Sequence, residues 1–469
     1  MSARPRRDRR NRLAGPLAVI VLVGVVTAGC TSSSDPGASP SATPTSAPTS
    51  ASSSASSPSG PVTLRFATYG DPGVVAAYRE IAKTYTTEHP DVIVRVDAAA
   101  DAVTSADDVD RGFDAGTPPD LFLARQTDLA SLMAQGRLQP VDELLEKPGV
   151  QFGDSFQRIG LEAFAGDSAL QCMPNEVSPY VVYYNKRLVV PRTFGQPGQT
   201  PPSPERGWRW DQFVAAAKSA STAGVKGLYL PPRLSTLIPL VRSAGQDLMD
   251  DDRLPTTLTF ADEMNRSALE AILSVARDPL ITPTARQLTR QDAVTRFENG
   301  RIAMMVGTRS LVPRLREKVD LHFDVFPLPS LGRARTVADM TGYCVAKGTE
   351  HLPQAIDFLA YASGDAAAKV LASSGSVVPA NLAALHSPEF LDPSRFPRDS
   401  AVFDSVIRRA DPMPSAQGWP DVVSQTQPLI DRMFYSPVID LDSLLPRVDE
   451  VSTGLLVPPS PSPSASPSS

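Results

Sequence analysis

Three cysteines and four histidines are the side chains best suited to covalent or metal chemistry, and their spacing restricts them. His89, His322, His351 and His386 lie far apart, and none forms an H-E-x-x-H pair or another metal-ligand spacing. No G-x-S-x-G turn presents a serine nucleophile, and neither a Walker loop nor a dinucleotide-binding glycine run is present. Carboxylates are plentiful, so residue type alone permits a glycosidase built on two of them, but no pattern marks a pair. Residue types and spacing thus mark no catalytic centre, metal or cofactor. Capture of a hydrophilic molecule needs only aromatic faces and planar polar side chains, and the question becomes which elements bring such residues together.

The chain ends are not part of any core. Arg4, Arg6, Arg7, Arg9, Arg10 and Arg12 precede an apolar run at 17–26 that is too short to span a bilayer but fits an export signal. Val26-Thr-Ala-Gly-Cys30 resembles a lipobox, which predicts cleavage after residue 29 and a lipid on Cys30. Residues 30–60 then form a Ser/Thr/Pro-rich tether, and 458–469 have the same character; both hold too little apolar surface to offset ordering entropy. The expected location is the extracytoplasmic face of the cell membrane.

About 400 residues remain, too many for one ordinary core, so two lobes are expected. The whole chain carries −6, and losing a leader with six Arg and one Asp takes it to about −11, a poor match for nucleic acid. Cys172 and Cys344 read as one disulfide in an exported protein, with two buried thiols or a metal pair as the other readings.

Along the body, Val62-Thr-Leu-Arg-Phe-Ala-Thr68 alternates as a strand, 69–73 turns, and 74–88 is helical with Val75, Tyr78, Ile81, Ala82 and Tyr85 on one face. Further strands are expected at 92–96 and 121–123, and a helix at 129–135 stopped by Gly136. Tyr183 and Tyr184 read as strand aromatics packed on a sheet. Strands alternating with helices predict a mostly parallel α/β sheet, whose ligands sit beyond the carboxyl ends of the strands.

The order of short motifs carries more. Gly116-Thr-Pro-Pro-Asp-Leu-Phe122, Gly136-Arg-Leu-Gln-Pro-Val-Asp142, Met173-Pro174 with Val182-Tyr-Tyr-Asn-Lys186, and Gly207-Trp-Arg-Trp-Asp-Gln-Phe213 follow one another. Phe297-Glu-Asn-Gly-Arg-Ile-Ala-Met304, Phe326-Pro-Leu-Pro329, Ala355-Ile-Asp-Phe-Leu359 and the 375–379 loop complete the series. The series resembles extracellular solute-binding protein family 1, the maltose-binding-protein-like sugar-binding lipoproteins of ABC importers. That resemblance implies a periplasmic-binding-protein-like fold of two α/β lobes with a hinge and an interlobe cleft. Lobe one would hold 62–174 and 343–395, and lobe two 178–341 and 396–457. Cys172 and Cys344 would then sit at the two crossings, and a bond between them would contribute about 5 kcal/mol in the chain-entropy picture. Implied ligand contacts are Tyr69 and Asp71 after the first strand, Arg125 and Gln126 after the third, and Asn175 and Glu176 at the first crossing. Thr308 and Arg309 follow the 303–306 run, Asp339, Met340 and Tyr343 flank the second crossing, and Trp419 is the stacking aromatic. The implied partners are a small solute, most simply a sugar, and ABC permease subunits, with the binder a monomer. Only three Trp are present, and Arg125 with Arg309 would suit an anionic solute. A lipoprotein that reports its ligand to a membrane sensor fits the same features.

Overall fold

The computed structural model describes residues 60–195, 200–251 and 254–456. The expected signal, Cys30, the tether up to residue 59 and the 458–469 tail lie outside these residues. Among the described residues no helix is long and apolar enough to cross a membrane.

β1 (Val62–Tyr69) buries Leu64, Phe66 and Thr68 from one face. Gly70 then turns the chain at φ 138°, where a Cβ would press to 3.0 Å from Val74 Cγ1. Asp71 caps α1 (Pro72–Glu88), accepting from the N–H groups of Gly73 (2.8 Å) and Val74 (3.2 Å), with Pro72 at the first helical position. The predicted face of α1 is buried. β2 (Val92–Ala99) and β3 (Leu121–Arg125) flank β1 in parallel. α2 (Ala102–Asp114) between them has a weak sequence signal, since only Ser105 and Val109 along it are buried. α3 (Leu129–Ala134) follows β3 after the single turn Gln126–Asp128.

Beyond β4 (Leu138–Gln139) and the short hairpin of β5 (Ala165–Gly166) and β6 (Ala169–Leu170), β7 (Cys172–Pro179) leads into β8 (Val181–Asn185). β9 (Met304–Gly307), β10 (Phe323–Pro327), β11 (Thr336–Ala346) and β12 (Ala410–Pro412) complete the strands. β11 organises the seven-stranded sheet: it runs antiparallel to β3 on one side and β7 on the other, with β4 and β12 at its ends. Parallel pairing joins β2-β1-β3 and, at the far edge, β11 to β12, while β11 runs antiparallel to β3, β4 and β7.

The β7/β11 pairing carries a bulge. Cys344 faces Cys172, Tyr343 faces Met173 and Gly342 faces Pro174, but Thr341 faces Glu176, so Asn175 is an extra residue. Gly342 is confined there: a Cβ would lie 2.9 Å from Phe164 Cζ and 3.1 Å from the Met173 carbonyl oxygen. Cys172 and Cys344 are disulfide-bonded with Cα atoms 4.4 Å apart, the close spacing of directly opposed antiparallel residues. The bond joins positions 172 residues apart in sequence.

A second sheet, β10-β8-β9, is antiparallel and buried on both faces. Tyr183, Met305, Phe323 and Val325 point into the core around the large sheet, while Val182, Tyr184, Met304, Val306 and Phe326 point into a second core. This explains the unbroken apolar run Val181-Val-Tyr-Tyr184, which alternation would not produce. The second core is otherwise helical, drawn from Leu234–Ser243, Glu263–Ala276, Trp419–Tyr435 and Leu441–Thr453. The stretch 396–457 is shared: Val402, Phe403, Val406 and Ile407 join the first core, and Met413 to Leu456 supply the second.

Replacing both Cys172 and Cys344 by Ser is expected to lower unfolding free energy by about 2–5 kcal/mol in non-reducing urea titrations. Gly342→Ala is expected to cost about 1–3 kcal/mol by the same measurement, because Phe164 and the β7 backbone must give way together.

Candidate functional site

Five of the expected contact residues meet where the carboxyl ends of β1 and β3 abut the β7/β11 bulge. Tyr69 ends β1, and Arg125 ends β3 directly opposite Thr341 of β11. Thr341 in turn faces Glu176 across β7, and Asp339 faces Ser178, so Glu176 and Asp339 are diagonal neighbours on one face of the sheet. Gln126 opens the turn after Arg125. This is the position that open α/β sheets use for ligands.

The polar groups gathered there are incompletely paired. Thr68 Oγ1, the Tyr69 hydroxyl and Gln126 Oε1 are enclosed without a hydrogen-bond partner, and Gln126 is only 5% exposed. Enclosed polar atoms left unpaired cost on the order of 1–3 kcal/mol each. Arg125 is already committed, donating from Nε and Nη2 to the two carboxylate oxygens of Asp128 at 2.8 and 2.9 Å. Tyr180, in the link between β7 and β8, donates to Asp339 Oδ2 at 2.7 Å.

Electrostatics follow from enclosure. Burial pushes the Glu176 carboxyl up to about 8, opposed by Ser178 and reinforced by the like charge of Asp339. Burial pushes Asp339 up to about 6, against the Tyr180 hydrogen bond and the Arg125 charge. The Tyr69 hydroxyl is driven well above its ordinary range by burial and by Glu176.

The remaining expected contacts serve packing. Asp71 caps α1 and accepts from the Ser376 hydroxyl. Asn175, the bulge residue, donates to the Tyr78 hydroxyl at 2.9 Å, and the Tyr343 ring packs against Phe66 and Tyr78 behind the cluster. Met340 is a core residue, and Thr308 accepts from the Tyr183 hydroxyl through its carbonyl. Two expectations need correction. Arg309 is 0% exposed, donating to Gly375 O, Ser400 Oγ and Phe390 O at 3.0–3.2 Å with its guanidinium over the Phe390 and Phe403 rings. Burial lowers its ordinary value to about 9. Every arm of the fork is used by the protein, so the side chain ties the end of β9 to the 375–403 segment and is not offered to a ligand. Trp419, 4% exposed, opens the helix Trp419–Tyr435 and belongs to the second core. That helix does pack against the Gln126–Asp128 turn, and the Ser415 hydroxyl just before it accepts from Ala130 N–H at 3.3 Å.

Sequence reasoning did not single out Thr68, Asp128 or Tyr180. Asp128 follows Arg125 by three residues, a spacing that suits an ion pair, and Tyr180 follows Pro179 at the crossing.

The raised carboxyls give stability a pH slope of definite sign. Each acid binds its proton more tightly folded than unfolded, so its stabilising effect is complete below the ordinary 4.5 of Glu176 and is lost as pH rises through about 8. The melting temperature of the ligand-free protein is therefore expected to fall between pH 5 and pH 8.5. Glu176→Gln should match it near pH 4.5, exceed it at pH 8.5 and flatten the slope in thermal melts across that range.

Comparison with known proteins follows this geometry. A family model described as bacterial extracellular solute-binding protein matches residues 80–398. No curated protein matches the sequence. Among solved structures, an ABC substrate-binding protein from Listeria monocytogenes in complex with cycloalternan superposes with a TM-score of 0.73 at 20% identity, covering 84% of this chain and 98% of that one. The GacH receptor of Streptomyces glaucescens, solved unliganded and with acarbose, gives 0.69 at 18% identity over 84% and 98%. The Thermus thermophilus maltotriose-binding protein gives 0.67 at 16% identity over 83% and 99%. At these identities the likeness establishes the architecture, a periplasmic-binding-protein fold of two α/β lobes.

Proposed function

Because the chain belongs to the bacterial extracellular solute-binding proteins, we propose that it captures a carbohydrate between its lobes and delivers it to the permease subunits of an ABC importer. The observation that carries this reading is the pair of unpaired, enclosed polar atoms on Tyr69 and Gln126 near Glu176 and Asp339, at the carboxyl ends of β1 and β3. Hydroxyls of a sugar both donate and accept, which is what such a mixed set requires. The β7/β11 crossings supply the hinge, and the ligand closes the lobes because it contacts both walls only in the closed form. No catalytic step is assigned. Cys30 bears the lipid that holds the monomer to the outer membrane face, and the Ser/Thr/Pro stretch lets it reach the permease. An anionic solute fits less well, because the Arg125 charge is already paired with Asp128 through Nε and Nη2, and Arg309 is sealed among protein acceptors.

A thermal-shift screen of the full chain against sugars, sugar acids, amino acids and phosphates tests the reading. Carbohydrates are expected to raise the melting temperature with saturation, and sugar acids and phosphates are not. Gln126→Leu should weaken carbohydrate binding about tenfold, a typical net hydrogen-bond effect, while leaving the ligand-free melting temperature unchanged or higher. A screen in which only anions or amino acids shift the transition rejects the carbohydrate assignment.

A further inference from the structure

A cavity away from the β1 and β3 strand ends has an apolar floor and a cationic rim. It lies between the end of β10, the start of β11, the turn at 203–207 and the residues that follow the helix Ala401–Ile407. The floor is Trp208, Pro327, Leu328 and Val406, all buried. Its polar groups are already used: Trp208 Nε1 donates to the Pro327 carbonyl at 2.9 Å, and Thr336 Oγ1 to the Tyr180 carbonyl at 3.0 Å. The rim is three exposed arginines, Arg206, Arg335 and Arg409, with Ser330, and among the described residues no carboxylate lines the cavity. Arg206 and Arg409 each donate one Nη2 to a main-chain carbonyl, of Pro201 at 3.3 Å and of Glu205 at 3.4 Å. Arg335 donates to Asp411 at 2.9 Å, but Asp411 also pairs with Arg242. The Glu205 carboxylate bonds Ser203 and lies in the field of both Arg206 and Arg192, while Asp404 is taken by Arg408 and His386. Three rim guanidiniums thus meet two carboxylates, Asp411 and Glu205, each shared with a further arginine, which leaves at least one positive charge uncompensated.

Size and polarity define what fits. The cavity encloses about 30 Å³, room for roughly two waters, so a sugar ring does not enter. Phosphate would set oxygens against a floor with no donor left to offer, whereas a short hydrocarbon stem gains by leaving water there. A carboxylate presents two coplanar oxygens to the guanidinium fork. An ammonium on the same stem, as in an amino acid, is repelled by the rim. We propose that this cavity is a second binding site, for the carboxylate of a short aliphatic acid. Its stem rests on Trp208, Leu328 and Val406, and its oxygens pair with Arg206 and Arg409. The site shares no lining residue with the cluster at the ends of β1 and β3, so it stands apart from the carbohydrate reading.

The test is a titration of the full chain with sodium formate, acetate, propionate, hexanoate and phosphate, at constant ionic strength set with sodium chloride. Thermal shift and calorimetry are read together. Acetate and propionate are expected to raise the melting temperature with saturation, propionate the more strongly. Formate, which lacks a stem, hexanoate, which is too long, and phosphate are expected to bind at least tenfold more weakly than propionate. Arg206→Gln and Arg409→Gln, both at exposed positions, should each weaken propionate about tenfold while leaving the ligand-free melting temperature unchanged. Arg408→Gln removes an equal charge beside the cavity without lining it, and should leave propionate affinity unaltered. Equal responses to propionate, formate and phosphate, or a loss in Arg408→Gln as large as in Arg409→Gln, show only general attraction of anions and overturn the proposal. Absence of any response to propionate overturns it as well, and none of these results bears on carbohydrate capture in the cleft.

Discussion

The antiparallel pairing of β7 with β11 is the constraint on which the other features depend. β11 also pairs with β3, so it joins β7 to the rest of the large sheet. A disulfide fixes the β7/β11 register at one end. The Asn175 bulge and the space-starved Gly342 break it a few residues later. The pair is thus rigid where it belongs to the sheet and irregular where it leaves it. Glu176 and Asp339 stand on the irregular side.

Legibility from sequence followed the strength of local signals. β1, α1, β2 and β3 were readable because strand patterning, the turn residues at 69–73 and a continuous apolar helix face agreed with one another. α2 was not, having two buried positions in thirteen residues. At the site, Tyr69, Arg125 and Gln126 could be named because they end or follow strands, and Glu176 and Asp339 because they fall at the crossings that the family resemblance implies. Arg309 was named by the strand-end rule and Trp419 by the resemblance, yet both turn inward. No local feature separates an arginine that meets a ligand from one that meets three protein acceptors; that difference is made by Gly375, Phe390 and Ser400, 66 to 91 residues away. Thr68 and Tyr180 escaped notice for the converse reason, since their roles arise only when distant strands close over them.

Several unfavourable terms meet at one place. Unpaired polar groups on Tyr69 and Gln126, two acids held above their ordinary range and the crowded Gly342 lie around the β7/β11 bulge. Such a distribution is what a binder requires if its ligand is to bring a large part of the energy that shuts it. A version of this protein optimised for stability alone would lose these groups first.

The small β10-β8-β9 sheet, with one face in each core, has a consequence for how the molecule comes apart. Neither core has a wall of its own on that side: melting the helical half would expose Val182, Tyr184 and Met304, and melting the other half would expose Tyr183, Met305 and Val325. A shared partition of this kind couples the two cores, so neither is expected to melt independently of the other. Amides along β8 would then exchange with solvent only through an opening that disrupts both cores.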